Sequence, residues 1–318
     1  MRAFVFPGQG SQKVGMGADL AGASAAAREV FEEVDDALDQ KLSKLMRDGP
    51  EEQLMLTENA QPAIMASSIA VLRVLERDGG ITLAEKCDFV AGHSLGEYTA
   101  LCAAGSFSLA DTARLLKKRG KAMQAAVPVG EGAMAALLGA TIESAQALAD
   151  ASAPVPPPGK GTEVCTVAND NDTSQVVISG HVGAIERAIA LVKEFGIKRG
   201  MLLPVSSPFH CSLMQPAADA MARALEDTPP GPLRVALFAN VTAAMVSDPD
   251  EVRRLLVEQV TGRVRWRESA VAMAEAGVNQ FVELGGKVVA AMIKRSAGDV
   301  ETASVVSMED IENLIKEL

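Results

Sequence analysis

Apolar and polar positions along this chain switch repeatedly between two periods. Short apolar runs bounded by Gly, Pro, Asn or Asp read as strands, and apolar residues three and four apart read as helices. Ala3 to Phe6 predicts a buried first strand running into Pro7-Gly8-Gln9-Gly10-Ser11-Gln12. A helix with acids on its polar face is expected over Ala25 to Leu38. Asn59-Ala60-Gln61-Pro62 predicts a helix start, with Pro62 in the first turn and an apolar helix to Leu75. Phe89 to Ala91 reads as a strand, Glu97 to Ala104 is helix-compatible, and Asp111 is expected to cap a helix to about Ala126.

Residues 131–205 carry a different rhythm. Strands are expected at Ala133 to Leu138, Glu163 to Ala168, Gln175 to Ser179 and Lys198 to Pro204, with helices at Ile142 to Asp150 and Val182 to Phe195. That order, β-α-β-β-α-β, is the ferredoxin-like pattern. The run Pro154-Val155-Pro156-Pro157-Pro158-Gly159 lies inside it and reads as a stiff loop. After Pro208 the alternation resumes, with a strand over Leu233 to Asn240 and a helix opened by Asp248-Pro249 and closed at Gly262. A strand over Val278 to Glu283 follows, then a Gly285-Gly286 turn, a helix from Lys287 and a last strand at Thr302 to Val306. The predicted class is α/β: a hydrolase-like core with a parallel sheet, from residues 1–130 and 206–318, and a ferredoxin-like subdomain inserted at 131–205.

Composition narrows the function. The formal net charge of −11 argues against a nucleic-acid partner, because there is no global basic field to release counterions. No apolar run is long enough to span a membrane, and the N-terminal apolar stretch is too short for a signal peptide. The four cysteines, Cys87, Cys102, Cys165 and Cys211, contain no C-x-x-C pair and form no ligand set with the three histidines, so neither a metal site nor a disulfide framework is expected. A reducing cytoplasm is the expected compartment.

Chemistry concentrates at Gly92-His93-Ser94-Leu95-Gly96, between an apolar strand and a helix. That is the layout of a nucleophile elbow, a tight strand-to-helix turn that raises a serine hydroxyl above a sheet. The pentapeptide alone is weak evidence, so context has to carry it. Of the three histidines, His93 adjoins the serine at a strand end and points away from it, and His181 sits at a helix start in the subdomain. His210 lies where the chain leaves the subdomain, at a junction suited to a cleft, and is the base by elimination. No Asp or Glu is placed to orient it. The unpaired carbonyls at the helix end Gln259-Val260-Thr261-Gly262 could accept the imidazole N–H instead, which would make a Ser–His dyad. The Gly8-Gln9-Gly10 turn fails both phosphate-loop spacings, because Lys13 and Met16 stand where Gly and Lys are required. It either supplies an N–H to an oxyanion beside that of Leu95, or is an ordinary turn. Arg119, in a basic cluster, is either part of a solvated face or a guanidinium that forks onto an acyl carboxylate.

Phe6-Pro7-Gly8-Gln9-Gly10-Ser11-Gln12, Gln61-Pro62-Ala63, Gly92 to Glu97, Arg119-Gly120-Lys121-Ala122-Met123-Gln124 and Pro208-Phe209-His210 together resemble the malonyl-CoA:acyl-carrier-protein transacylases. These are the stand-alone enzymes of bacterial fatty acid synthesis, related to polyketide synthase acyltransferase domains. The resemblance runs in order from about residue 3 to 295. It implies that Ser94 carries a malonyl ester, that His210 is its general base and acid, and that the N–H groups of Gln9 and Leu95 form the oxyanion hole. It further implies that Arg119 pairs with the malonyl carboxylate, that Gln259 supports the histidine, and that Gln61 and Asn171 line the pocket. The chain departs from the family at Leu284-Gly285-Gly286-Lys287, where Gly-Pro-Gly is common, and at Phe209, where many members carry a small residue. The ring of Phe209 favours malonyl over the α-branched methylmalonyl group. Expected partners are malonyl-CoA and acyl carrier protein, with no cofactor and no metal, and the enzyme is expected to be a monomer. A basic surface from Lys117, Lys118, Lys121, Lys193, Lys198 and Arg199 is expected to meet the acidic carrier. A serine esterase or thioesterase with the same elbow, an acyltransferase serving polyketide assembly and a non-catalytic carrier-binding module are the alternatives.

Overall fold

Strand β1 (Arg2–Phe6) lies in the middle of a sheet although it comes first in the chain. A computed structural model, which describes residues 1–153, 162–205 and 207–318, gives this sheet six strands. The Pro154 to Gly159 run and Ser206 lie outside the described residues. With β2 (Phe89–Gly92), β7 (Ala236–Ala239), β8 (Ala244–Val246), β9 (Gln280–Leu284) and β10 (Glu301–Val305), the spatial order is β10-β9-β1-β2-β7-β8. The pairings from β10 through β7 are parallel, as expected, while β8 adds an antiparallel edge that the sequence reading did not separate from its surroundings.

A parallel sheet needs apolar cover on both faces. Alternate residues of β1 supply it: Phe4 and Phe6 join one buried cluster, with helix Thr57–Arg77 and helix Leu109–Ala125, while Ala3 and Val5 join another with Trp266, Met273 and Ile293. The second sheet comprises β3 (Gly132–Leu138), β4 (Cys165–Asp172), β5 (Gln175–His181) and β6 (Arg199–Leu202) in the antiparallel order β4-β5-β3-β6. With helices Ile142–Ser152 and Val182–Leu191 between its strands, this is the ferredoxin-like arrangement. Its alternation divides it too. Ala133, Ala135 and Leu137 pack on those two helices, whereas Met134, Ala136 and Val177 face the main core.

Strand β4 fastens the second sheet to the main body through the segment at Val264 and the helices after it. The Asp170 N–H donates to Val264 O at 2.9 Å, the Val264 N–H donates to Ala168 O at 2.8 Å, and buried Asp170 and Asp172 pair with Arg267 at 2.8 Å and Arg295 at 2.7 Å.

Several boundaries differ from expectation. The helix expected at Asn59 starts at Thr57, so Pro62 sits within it rather than in its first turn; Ala60 and Ala63 beside it are fully buried, and packing holds the helix through the lost hydrogen bond. Asp111 does not cap its helix: the helix starts at Leu109, which puts Asp111 at its third position, and Ser108 is the cap, accepting from the Asp111 N–H at 3.0 Å. The helix expected from Lys287 begins at Val289, where the Glu283 carboxylate accepts from the Val288 and Ala290 N–H groups and fixes the start. No helix among the described residues is long and apolar enough to cross a membrane, and all four cysteines are free and buried.

Candidate active site

The turn after β2 is tightly constrained backbone at the edge of the cleft. Ser94 has φ 54° and ψ −109°, a conformation that costs about 1–3 kcal/mol for a residue with a Cβ. Crowding explains both flanking glycines. A Cβ on Gly92 would lie 1.9 Å from Gly96 O, and one on Gly96 would lie 2.5 Å from Phe6 O. The sharp turn places Ser94 at the N-cap of helix Leu95–Ala103, where the Leu95 N–H has no acceptor within the helix and the helix dipole favours negative charge. Asn240, at the end of the neighbouring β7, holds the turn from both sides. Its Oδ1 accepts from the Ser94 N–H at 2.8 Å, and its Nδ2 donates to Gly92 O at 2.7 Å.

His210 reaches the serine from 116 residues away, with Nε2 2.8 Å from Ser94 Oγ. Its Nδ1 is 2.9 Å from Gln259 O near the end of helix Pro249–Thr261. A carbonyl can only accept, so Nδ1 carries the proton and Nε2 is left bare to accept from the serine hydroxyl. Burial, followed by the positive charge of Arg119, pushes the His210 pKa down to about 3, so the ring is neutral at physiological pH. Ser94, His210 and the Gln259 carbonyl thus form a hydrogen-bonded line with no carboxylate orienting the imidazole.

Arg119 is only 1% exposed and lies on helix Leu109–Ala125, which approaches helix Thr57–Arg77 closely at Gly120. A Cβ there would meet Glu58 Cα at 2.6 Å. The Arg119 guanidinium donates to Gln61 Oε1 at 2.8 Å, Gln259 Oε1 at 2.8 Å and Ser94 Oγ at 3.1 Å, and it lies 5.6 Å from the Tyr98 ring centre. Among the described residues its Nε has no hydrogen-bond partner and no salt bridge reaches it. Its hydrogen-bond acceptors are all neutral and the Glu97 carboxylate acts on it only through space, so the buried cation is incompletely compensated and an incoming carboxylate would complete its shell.

These groups open onto a cleft of about 270 Å³ between the two sheets. Gln9, Gln61, Ser94, Leu95, Arg119, Asn171, Phe209 and His210 all line it, so the residues singled out in the sequence converge, with the side chain of Gln259 immediately behind them. His93, set aside as a base, bonds to Asn171 Oδ1 at 2.8 Å and packs against Trp266, and burial lowers its pKa. His181 accepts from the Val164 N–H at 2.8 Å, a scaffold contact. The expected basic surface is less uniform. Lys117 is half-buried and donates to Gln40 and Asn59 beside Glu58, whereas Lys118, Lys121, Lys193, Lys198 and Arg199 are exposed. Sequence reasoning missed Asn240 and Glu97. Glu97 occupies the third helical position after an N-cap serine, a spacing that often marks a capping contact. Asn240 ends a strand beside the nucleophile's, where open α/β sheets gather functional groups.

A nucleophilic serine, a neutral base and an under-compensated buried cation in one cleft fit acyl transfer, and the chain belongs to the acyl transferase domain family, which it matches over residues 3–311. More narrowly, it is 42% identical to the malonyl CoA-acyl carrier protein transacylase of Bacillus subtilis (strain 168), over 99% of this chain and 96% of that one. It is similar to the crystal structure of the acyl-carrier-protein-S-malonyltransferase from Bartonella henselae, with a TM-score of 0.94 and 50% identity over 99% of this chain and 98% of that one. It also matches a malonyl-transacylase solved in complex with a type II PKS acyl-carrier protein, with a TM-score of 0.93 and 38% identity over 100% and 99% of the two chains.

Proposed function

We infer that this acyltransferase moves the malonyl group of malonyl-CoA to the phosphopantetheine thiol of an acyl carrier protein, through an ester on Ser94. The reading assigns the core to residues 1–130 and 206–318 and the inserted subdomain to 131–205, with the reaction in the cleft between them. Ser94 Oγ attacks the thioester carbon as its proton passes to Nε2 of His210. The N–H groups of Gln9 and Leu95 receive the carbonyl oxygen as it becomes an oxyanion. When the tetrahedral species collapses, the C–S bond breaks and the CoA sulfur takes the proton back from the imidazolium. The carrier's thiol then gives its proton to Nε2 and attacks the seryl ester; as the C–O bond breaks, Ser94 Oγ takes the proton back from the imidazolium and the carrier leaves with the malonyl group on its sulfur. The Gln259 carbonyl stabilises each transient imidazolium, aided by the negative end of its helix. No step needs a metal or redox cofactor.

The observation that carries this reading is Arg119, a buried guanidinium 3.1 Å from the nucleophile and hydrogen-bonded only to neutral groups among the described residues. An enzyme for neutral acyl chains has no use for it, whereas a malonyl carboxylate would give it a charged partner. Phe209, beside the base on the cleft wall, narrows the space for an α-branch, and Gln61 and Asn171 complete the polar lining. Intact-mass measurement after mixing with malonyl-CoA tests the reading. A malonyl-sized adduct is expected on the wild type and not on Ser94→Ala, and absence of any adduct on the wild type would overturn it.

Carrier docking is assigned to the exposed cations Lys118, Lys121, Lys193, Lys198 and Arg199, with Lys117 omitted because it is half-buried against Gln40 and Asn59. Charge reversal there should raise the apparent KM for carrier protein and leave loading from malonyl-CoA unchanged. The reading places the enzyme in the cytoplasm, as a monomer serving fatty acid synthesis.

A further inference from the structure

Glu97 is a carboxylate 1% exposed that lies one layer behind the cleft and has had no part in the mechanism. Its Oε2 accepts from Gln259 Nε2 at 2.9 Å and from the Asn240 N–H at 3.1 Å. Gln259 in turn meets three parts of the site. Its backbone oxygen faces His210, its side-chain oxygen accepts from Arg119 at 2.8 Å, and its Nε2 also donates to Ser94 O at 2.9 Å.

The two ends of a glutamine amide have the same shape, so its neighbours decide which end faces which way. Arg119 can only donate, and the Ser94 carbonyl and an ionised Glu97 can only accept. The two acceptors therefore draw the NH₂ toward the elbow and leave the oxygen for Arg119. A reversed amide would set its NH₂ against the guanidinium, donor against donor, and would displace the cation. Burial raises the Glu97 carboxyl to about 7, against hydrogen bonds from Gln259 and Asn240 that hold it down.

We propose that Glu97 is a positioning residue for acyl selection: by offering an acceptor to Gln259 Nε2 it fixes the amide whose oxygen holds Arg119 at the nucleophile. The same oxygen braces Asn240, which grips the backbone of Ser94, so one buried atom ties the selecting cation to the turn that presents the nucleophile. This rests on the malonyl-transfer reading above, in which Arg119 meets the substrate carboxylate. A merely structural Glu97 would, when altered, lower activity toward every acyl group by the same factor. A positioning Glu97 would change the preference among them.

The test compares Glu97→Asp, which keeps the charge but withdraws the carboxylate by one methylene, with Glu97→Gln, which keeps the reach and an acceptor oxygen but loses the charge. The readout is kcat/KM for Ser94 loading from malonyl-CoA and from acetyl-CoA, followed by intact mass. For Glu97→Asp, the malonyl-over-acetyl preference is expected to fall about tenfold or more, mostly through KM for malonyl-CoA, the scale of one lost hydrogen bond to a charged group. Glu97→Gln should keep the preference within about threefold of the wild type, because an acceptor still faces Gln259. An unchanged preference in Glu97→Asp would overturn the proposal, and so would a tenfold loss in Glu97→Gln. Should Glu97→Asp fail to fold, Glu97→Leu, which fills the space but offers no acceptor, takes its place: the same loss of preference is expected of it, and an unchanged preference overturns the proposal. A wild type that takes up no malonyl group would instead refute the transfer reading itself.

Discussion

Replacing Arg119 with methionine is the most direct test of how acyl groups are chosen. Methionine keeps much of the apolar stem and fills most of the volume, so the perturbation is chiefly loss of the cation. The guanidinium is hydrogen-bonded by two amide oxygens and the serine hydroxyl, and among the described residues no carboxylate bonds to it directly. A malonyl carboxylate would form the ion pair that is missing. Removing one member of a buried, hydrogen-bonded pair costs about 3–5 kcal/mol, or roughly 10²- to 10⁴-fold at 1.4 kcal/mol per decade. That loss is expected in kcat/KM for malonyl-CoA. Acetyl-CoA presents no carboxylate, and its kcat/KM should change by less than about tenfold, with either sign. Rates of seryl-ester formation measured for both substrates on both proteins give the four numbers needed. An equal fall for the two substrates would refute the argument, because it would mean that Arg119 supports the nucleophile alone.

Other expectations follow from the same geometry. Gly92→Ala would drive a Cβ to within 1.9 Å of Gly96 O, and Gly120→Ala would press on Glu58 backbone at 2.6 Å. The first should abolish the folded elbow, read as loss of both adduct formation and the thermal transition. The second should shift Arg119 and lower malonyl loading more than stability. The folded-state pKa of His210, about 3, lies below its ordinary 6.5, so its contribution to stability is complete above pH 6.5 and is lost as pH falls toward 3. Thermal melts should therefore show His210→Asn gaining on the wild type as pH drops from 7 to about 4, and a constant gap would contradict the assigned burial. Arg267→Ala would strand the Asp170 carboxylate, 1% exposed, and should destabilise by about 3 kcal/mol in denaturant titrations.

The parts of the site that could be read from sequence were those set by local sterics. Gly92 and Gly96 are dictated by contacts within a few residues of the serine and with the neighbouring strand, so the pentapeptide and its flanking strand and helix sufficed. His210 emerged because only two other histidines competed, and the Gln259 carbonyl because every helix end leaves acceptors unpaired. Asn240 and Glu97 could not be read this way. Their contacts join residues 143 and 146 positions apart, and nothing in either neighbourhood marks them as partners. Lys117 failed for a related reason. Its spacing matches a solvated face, but the face is covered by Glu58 and Asn59 from the adjacent helix. In the fold, the βαββαβ order was legible from periodicity, while the antiparallel β8, three residues long, was too short to leave a pattern.

The two walls of the cleft differ in how freely they can change. On one side, Gln9, Ser94, Leu95, Arg119 and His210 are bound by crowded glycines, by the positive φ of Ser94 (54°) and His210 (57°) and by shared hydrogen bonds, so alterations there disturb the chemistry. On the other, Met134, Ala136 and Val177 from a separate sheet, and Leu203 just past its last strand, touch the cavity with plain apolar side chains. Variation can accumulate on that second wall without entering the reactive cluster. A fold divided in this way can acquire a new acyl preference by small steps while its nucleophile stays fixed, and libraries built on the four apolar positions are the place to look for it.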